Sequence, residues 1–183
     1  SGAAAINLAD MYLKGEYFDK DYEQAQKWYY VADEDGKPRA SYMLGLSYMN
    51  GLYNNSSIRK AMRYFEKASN GGIAMASRQL GIAYASGVGK EKDLEKAQLY
   101  FKKAAVQGNA LIMRDLALTY KELGNTTEYI NWLKKAAADG DADSNYYLGK
   151  YYSKTDVNLS KKYFNLAVKQ KHHLARVQVD ETY

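Results

Sequence analysis

Two short segments contain residue types that could bind a metal ion. His172 and His173 are the only histidines, and successive residues on a helix point about 100° apart, so the two rings are not expected to chelate one ion. The run 139–144, Asp-Gly-Asp-Ala-Asp-Ser, begins like a calcium loop, but Ser144 replaces the glycine at its sixth position and Lys150 the glutamate at its twelfth. A turn between helices, with Ser144 as the N-cap, also explains this run.

A third segment, 87–90, is glycine-rich and basic, but a phosphate loop needs Ser or Thr after its lysine, and here Glu91 follows Lys90. A turn inside a helical hairpin explains it. The chain has no Cys, which excludes disulfides, thiolate metal sites and cysteine nucleophiles. One adjacent histidine pair gives no basis for a Ser-His-Asp triad. We therefore predict no enzymatic activity, no cofactor and no metal.

Composition places the chain among proteins with a packed core, since 46% of its 183 residues are apolar. No run of 18 apolar residues is present. The net charge of +5 is uneven: −5 over residues 1–36, +8 over 37–108 and +2 over 109–183. This gradient could steer an acidic partner to the middle of the chain, and it is equally explained by ordinary solvated helix faces.

A nine-residue pattern, Ala-x-x-x-Leu-Gly-x-x-Tyr, recurs along the chain. It occupies 40–48 and 76–84, returns at 144–152 with Ser in place of Ala, and has weaker copies at 4–12 and 112–120. Its Ala, Leu and Tyr lie at i, i+4 and i+8, on one helical stripe. A second block places an aromatic residue four positions before an alanine. These pairs are Trp28 and Ala32, Tyr64 and Ala68, Tyr100 and Ala104, Trp132 and Ala136, and Tyr163 and Ala167.

Each repeat is therefore expected to be a pair of helices. The small residue beside the leucine, as at Gly45, lets the second helix approach closely, and the tyrosine rings fill the spaces within and between pairs. A glycine such as Gly72 ends the second helix in a left-handed conformation, but Lys171 stands at that place in the fifth copy. The predicted helices cover 3–14, 21–34, 39–50, 57–70, 74–86, 93–107, 110–123, 126–138, 143–153 and 157–170, with a last helix after them.

These residues resemble the Sel-1-like repeat, a relative of the tetratricopeptide repeat. Residues 74–109 match best, with Ala76, Leu80-Gly81 and Tyr84 followed by Ala97, Tyr100, Ala104 and Gly108. The resemblance implies an all-α, right-handed α-α superhelix, or solenoid, of about five helix-turn-helix repeats plus a terminal helix, with first helices on the concave face. We expect one repeat domain over 1–183. Its repeats would be 3–38, 39–73, 74–109, 110–142 and 143–172, and its terminal helix 173–183.

The resemblance also implies a function, because proteins of this kind are non-enzymatic adaptors that bind other proteins. An immunity or inhibitor protein that sequesters a bacterial secreted effector is one alternative, and a structural or accessory subunit of an envelope assembly is another. Nucleic-acid binding is disfavoured, since most aromatic residues occupy stripe positions and many lysines lie on second helices. No small-molecule substrate is indicated. Bacterial cytoplasm and periplasm both remain open.

The resemblance implies which first-helix residues face the concave groove. They lie two positions before and two positions after the repeat leucine, and some lie one helical turn further along. Arg78 and Arg114 could grip an acidic group of a protein partner, with Tyr42 and Tyr146 stacking beside it. The alternative is that these side chains pair with neighbours in the stack. The expected partner-binding residues are Tyr42, Leu46, Met49, Arg78, Ile82, Arg114, Leu118, Lys121, Tyr146 and Lys150.

Overall fold

A computed structural model describes residues 1–51 and 56–180, and for 179 and 180 only the backbone. Every regular element in these ranges is a helix, and each of the first ten begins and ends within two residues of its predicted bounds. The predicted terminal helix, 173–183, is seen up to residue 180, and 181–183 lie outside the described residues. The helices are α1 (Gly2–Lys14), α2 (Tyr22–Glu34), α3 (Pro38–Asn50), α4 (Ile58–Asn70), α5 (Ala74–Ser86), α6 (Leu94–Ala105), α7 (Ala110–Glu122), α8 (Thr126–Ala138), α9 (Ala142–Tyr152), α10 (Val157–Lys169) and α11 (His173–Asp180).

The chain forms two compact units, the first Ser1–Tyr100 and the second Phe101–Tyr183, and the division falls within α6. In the first unit α1 packs on α2 and α3 on α4, while α2 also contacts α3 and α4 contacts α5. In the second unit the same order holds for α7 to α11. Hairpins therefore stack in chain order within each unit. The single domain over 1–183 stays a prediction.

The repeated stripe forms the core of both units. Four of the five repeat leucines are fully buried, and Leu8, in the first helix, is partly buried. The alanine that follows each second-helix aromatic is also fully buried in all five copies. These positions are buried because the i, i+4 spacing keeps them on the one face of each helix that its neighbours cover. The buried leucines are Leu44, Leu80, Leu116 and Leu148.

The small residue beside the leucine brings two helices together, as predicted. A Cβ added at Gly45 would stand 2.6 Å from Cδ1 and Cε1 of Phe65 on α4. The second unit repeats this arrangement, because a Cβ at Gly149 would stand 2.7 Å from Cδ1 of Phe164 on α10. In each case the ring of the second helix lies directly on the backbone of the first.

The turns also follow the sequence. Pro38 occupies the first turn of α3, where its missing N–H costs no helical hydrogen bond. Gly87 ends α5 in the left-handed conformation, with φ 79°, which identifies 87–90 as a turn between α5 and α6. Leu123 stands at the corresponding place after α7, and because it is not a glycine this helix ends in the right-handed region instead.

The N-cap of α9 was assigned wrongly from the sequence. Ser144 is not the N-cap of α9, because Asp141 occupies that position and its Oδ2 accepts hydrogen bonds from the N–H and the hydroxyl of Ser144. Both residues are good caps in isolation. The helix begins one turn earlier than a Ser144 cap requires, and this places the aspartate at its start.

Lys171 has a left-handed backbone, with φ 64°, at the position where the other repeats have glycine. A left-handed residue with a Cβ is strained by about 1–2 kcal/mol, so Lys171→Gly is expected to raise the free energy of unfolding by about 0.5–1 kcal/mol after the added flexibility of the unfolded chain is counted. Lys169→Gly, inside the last turn of α10, should lower it by a similar amount. Denaturant unfolding of both variants tests this, and two changes of the same sign would contradict the account.

Candidate functional site

The predicted groove residues of the first unit lie together on α3 and α5. Tyr42, Leu46 and Met49 are partly buried against the core, and the ring of Tyr42 lies 5.9 Å from that of Phe65. Burial raises the pKa of Tyr42, and the positive charge of Arg78 partly offsets the rise. Met49 and Ile82 help to line an apolar cavity of about 250 Å³.

In the second unit Arg114 is bound to carboxylates of its own chain. Its Nη1 lies 2.8 Å from Oδ1 of Asp141 and also contacts Oδ2 of Asp143. The side chains of Arg114 and Asp141 are 16% and 12% exposed, so this pair is largely shielded from water. The structure thus shows for Arg114 the pairing with neighbours that the sequence left open as the alternative. The run that contains both aspartates was explained from the sequence by a turn between helices or by a calcium loop, and neither explanation includes the pairing with Arg114.

His172 extends this cluster toward Tyr146. It precedes α11, so the two histidines are not successive helical residues as the sequence argument assumed, and their rings are parallel at 5.5 Å. Its Nδ1 accepts the backbone N–H of Ala175, and its Nε2 lies 3.2 Å from Oδ1 of Asp143. The Tyr146 ring stacks on it at 4.5 Å. His172 therefore positions Tyr146, a role that sequence spacing did not indicate.

Two further predicted residues, Lys121 and Lys150, line one pocket of about 300 Å³ in the second unit, here called the Lys121 pocket. Its lining, all within the described residues, contains three lysines and three tyrosines and no carboxylate. None of the three lysines forms an ion pair with another described residue. The pocket is a positively charged, aromatic-walled recess. Its residues are Lys121, Tyr129, Tyr147, Lys150, Tyr151 and Lys154.

The rings and ammonium groups around this pocket interact. The Nζ of Lys121 lies 5.6 Å from the ring centre of Tyr129, and that of Lys150 lies 5.7 Å from the ring of Tyr146. Burial, reinforced by Tyr147, raises the pKa of Tyr129, so its phenol stays protonated at neutral pH. An entering anion would therefore meet ammonium groups and a phenol that remains a hydrogen-bond donor.

Ion pairs between the first two repeats neutralise some of the acidic residues of the first repeat. Arg39 Nη2 lies 2.6 Å from Oδ2 of Asp10, and the buried Tyr29 donates its hydroxyl to the other oxygen of that carboxylate. Lys67 Nζ lies 2.8 Å from Oδ2 of Asp33. The acidic first repeat is thus partly neutralised by the basic second one, a pairing that net charge alone could not reveal.

Most tyrosines act in packing, as the sequence predicted. A tyrosine at the end of a first helix stacks on the aromatic residue of the next helix, with ring centres 5.6–5.8 Å apart. Second-helix lysines add to these stacks, since Lys102 and Lys134 each lie over the first-helix tyrosine of the following repeat. The stacked pairs are Tyr48 and Tyr64, Tyr84 and Tyr100, and Tyr152 and Tyr163.

Over the described ranges, no group of three or more His, Cys, Asp or Glu side chains is arranged to hold a metal ion. Nor does any described helix combine the length and apolarity needed to cross a membrane.

Known proteins share this helical repeat architecture. The Sel1 repeat matches residues 2–32, 38–73, 74–109, 130–141 and 142–172. The crystal structure of c5321, a protective antigen of uropathogenic Escherichia coli with an SLR fold, aligns with a TM-score of 0.91 at 22% identity, over 100% of this chain and 41% of that one. This chain thus spans about two fifths of the length of that protein.

Two other solved structures show the same fold. A Sel1 repeat protein from Oxalobacter formigenes aligns with a TM-score of 0.87 at 25% identity, over 98% of this chain and 75% of that one. The immunity protein Pa5087 of Pseudomonas aeruginosa aligns with a TM-score of 0.57 at 22% identity, over 94% and 69%. Among curated proteins none matches this chain. Since the repeat covers most of its length in an all-helical α-solenoid fold, the chain belongs to the Sel1 repeat family.

Proposed function

We propose that this protein is a non-catalytic scaffold that binds an acidic segment of another protein in the Lys121 pocket. The pocket supports this because three lysines surround about 300 Å³ and their charge is not balanced by a carboxylate among the residues that line it. Its tyrosines provide rigid aromatic contact surface at low entropic cost, as in many protein interfaces. The Sel1 repeat, a scaffold for protein interactions, is consistent with this role.

Arg114 is not part of this proposal, because its Nη1 is already bonded to Asp141 and Asp143. In the first unit, Tyr42 and Arg78 form a second candidate contact surface, with Leu46 and Ile82 as its apolar part. That Arg78 and Arg114 both bind an acidic group of a protein partner stays a prediction.

Removal of two pocket lysines tests the proposal. A fluorescein-labelled peptide of six glutamates serves as the acidic probe, measured by anisotropy at low salt. The double variant Lys121→Gln/Lys150→Gln is expected to bind it roughly tenfold more weakly than the unmodified chain. The matched control Lys162→Gln/Lys169→Gln removes two exposed lysines of α10 outside the pocket, and should change affinity less than about twofold.

Equal losses in both double variants would show non-specific attraction and would contradict the proposal. Tighter binding of single-stranded RNA than of the acidic peptide, with affinity that falls steeply as salt rises, would replace it with a nucleic-acid function.

Two more specific functions remain as alternatives. Pseudomonas aeruginosa immunity proteins share the fold, which supports an immunity protein as one version, and such a protein would bind and inhibit a single effector tightly. PilW, a type IV pilus biogenesis factor, aligns with a TM-score of 0.61, which supports an accessory role in envelope assembly as the other. An adaptor would instead bind several partners weakly, so inhibition of one effector at nanomolar affinity separates the first version from the others.

A further inference from the structure

A second pocket lies in the first unit, between α2, α3 and α4, and has a volume of about 470 Å³. We call it the Tyr30 pocket. Its aromatic wall is formed by Tyr30, Tyr48 and Tyr64, and its charged groups are Asp33, Lys60, Arg63 and Lys67. None of these residues was singled out as a binding residue by the sequence pattern.

The three phenols contact one another. The hydroxyls of Tyr30 and Tyr48 are hydrogen-bonded to each other, and the rings of Tyr48 and Tyr64 are stacked 5.7 Å apart with an angle of 6° between their planes. Burial and the neighbouring phenols raise the pKa of Tyr30, and burial also raises that of Tyr64. Tyr30 and Tyr64 therefore stay protonated, so they present O–H groups rather than phenolates.

The charges in the pocket do not cancel. Lys67 is committed to Asp33, with its Nζ 2.8 Å from the carboxylate and 3.1 Å from the backbone carbonyl oxygen of that residue. The hydroxyl of Ser41 donates to the same carboxylate. Lys60 and Arg63 form no ion pair within the described residues, and the Nζ of Lys60 lies 4.9 Å from the ring of Tyr48. Two positive charges therefore remain beside hydroxyl donors.

In the next repeat a carboxylate of the chain lies beside the corresponding pair of stacked tyrosines. Thirty-six residues on, the stacked pair Tyr84 and Tyr100 also has a lysine beside it, since Lys96 Nζ lies 5.6 Å from the Tyr84 ring. There the residue corresponding to Tyr30 is Glu66, and its Oε1 lies 2.6 Å from Nζ of Lys90. The chain thus supplies its own anion next to that stack.

The Tyr30 pocket differs from this arrangement toward positive charge at two positions. Tyr30 stands where the next repeat has Glu66, and Arg63 stands where it has Leu99. At these two positions an anion is lost and a cation is gained. Two other positions change in the opposite direction, since Asp33 stands where the next repeat has Ser69 and Lys90 has no cationic counterpart, but Asp33 is neutralised by Lys67.

We propose that the Tyr30 pocket binds a phosphate monoester. A dianionic phosphoryl group matches the two unbalanced charges, its oxygens can accept from the phenols, and Arg63 can bind two of them in parallel. This site is independent of the Lys121 pocket and does not rest on the function proposed for it.

Titration with phenyl phosphate, followed by calorimetry and by ¹H–¹⁵N chemical-shift changes, tests the site. We expect saturable binding with amide shifts in α2, α3 and α4. Arg63→Gln should weaken binding roughly tenfold and Tyr64→Phe a few-fold, since each removes a donor to the phosphate. Lys27→Gln, which removes an exposed lysine of α2 outside the pocket, should change it less than about twofold.

Inorganic phosphate and a phosphoserine peptide distinguish the source of the group: tighter binding of the peptide indicates a phosphorylated protein, and tighter binding of phenyl phosphate indicates a small ester. Three results would overturn the proposal. They are no saturable binding in the millimolar range, equal binding of acetate, and equal losses in Arg63→Gln and Lys27→Gln. Thermal unfolding of each variant shows whether it remains folded, and Tyr64→Phe, which retains its stacked ring, provides a second check.

Discussion

Replacing Arg114 with alanine is expected to lower the free energy of unfolding of the second unit by about 3 kcal/mol. The guanidinium group neutralises Asp141, whose side chain is only 12% exposed, and removal of one partner of a shielded pair leaves an uncompensated charge, at a cost of about 3–5 kcal/mol for a fully buried one. Asp143 is 47% exposed and water can solvate it, which places the expected loss at the low end. Denaturant unfolding, together with hydrogen exchange of α7 and α9 amides, measures it.

The exposed Arg176 on α11 offers a matched control. Arg176→Ala removes the same charge without breaking an ion pair to another described residue, and it should change the free energy of unfolding by less than about 0.5 kcal/mol. The result also separates the two explanations of Arg114. Suppose that Arg114→Ala unfolds like the unmodified chain but binds the acidic peptide more weakly. Arg114 would then contact the partner, as the sequence suggests, and its proposed role in neutralising Asp141 would be wrong.

The substitution Gly45→Ala is expected to destabilise the first unit by about 2 kcal/mol, although alanine is the better helix former by about 1 kcal/mol. The added methyl group would stand 2.6 Å from two carbons of the Phe65 ring, so either the ring or α4 must shift, and such overpacking costs about 1–3 kcal/mol. Thermal and denaturant unfolding give the sign and the size of the change.

A second substitution tests the cause. In a Phe65→Leu background the added methyl group has more room, so Gly45→Ala is expected to be neutral or to stabilise by up to about 1 kcal/mol. The chain offers a precedent, because the repeat register places Ala117 opposite Leu133. If Gly45→Ala costs the same in both backgrounds, the contact with Phe65 is not the reason for the loss.

Helix positions were predictable because they depend on local, repeated information. The bounds 74–86 for α5 agree with the structure at both ends, since the stripe marks the buried face and Gly87 marks the stop. Pro38 marks the start of α3 for an equally local reason, since the fixed φ of its ring suits the first turn of a helix. The N-cap of α9 was misassigned because Asp141 and Ser144 both cap helices well, and the choice depends on where the preceding turn ends.

The candidate site was predictable in part. Spacing from the repeat leucine singled out Lys121 and Lys150, which line one pocket. The same rule could not foresee that Arg114 is bonded to Asp141 and Asp143, or that His172 positions Tyr146. The Arg114 contacts join residues 27 and 29 apart in the chain, and His172 lies outside the helix of Tyr146. A rule based on position within a single helix cannot predict such contacts.

Local sequence was enough to predict the all-helical repeats, their length and the residues of their buried stripes, because helical periodicity and turn chemistry depend on neighbours a few positions away. Which charges remain unbalanced depends instead on contacts between repeats. Asp33 neutralises Lys67 while Lys60 and Arg63 stay unpaired within the described residues, and this outcome depends on which side chains of adjacent hairpins reach one another across the stack. Ionic contacts require atoms within a few ångströms, and that distance is fixed by packing rather than by position in the chain.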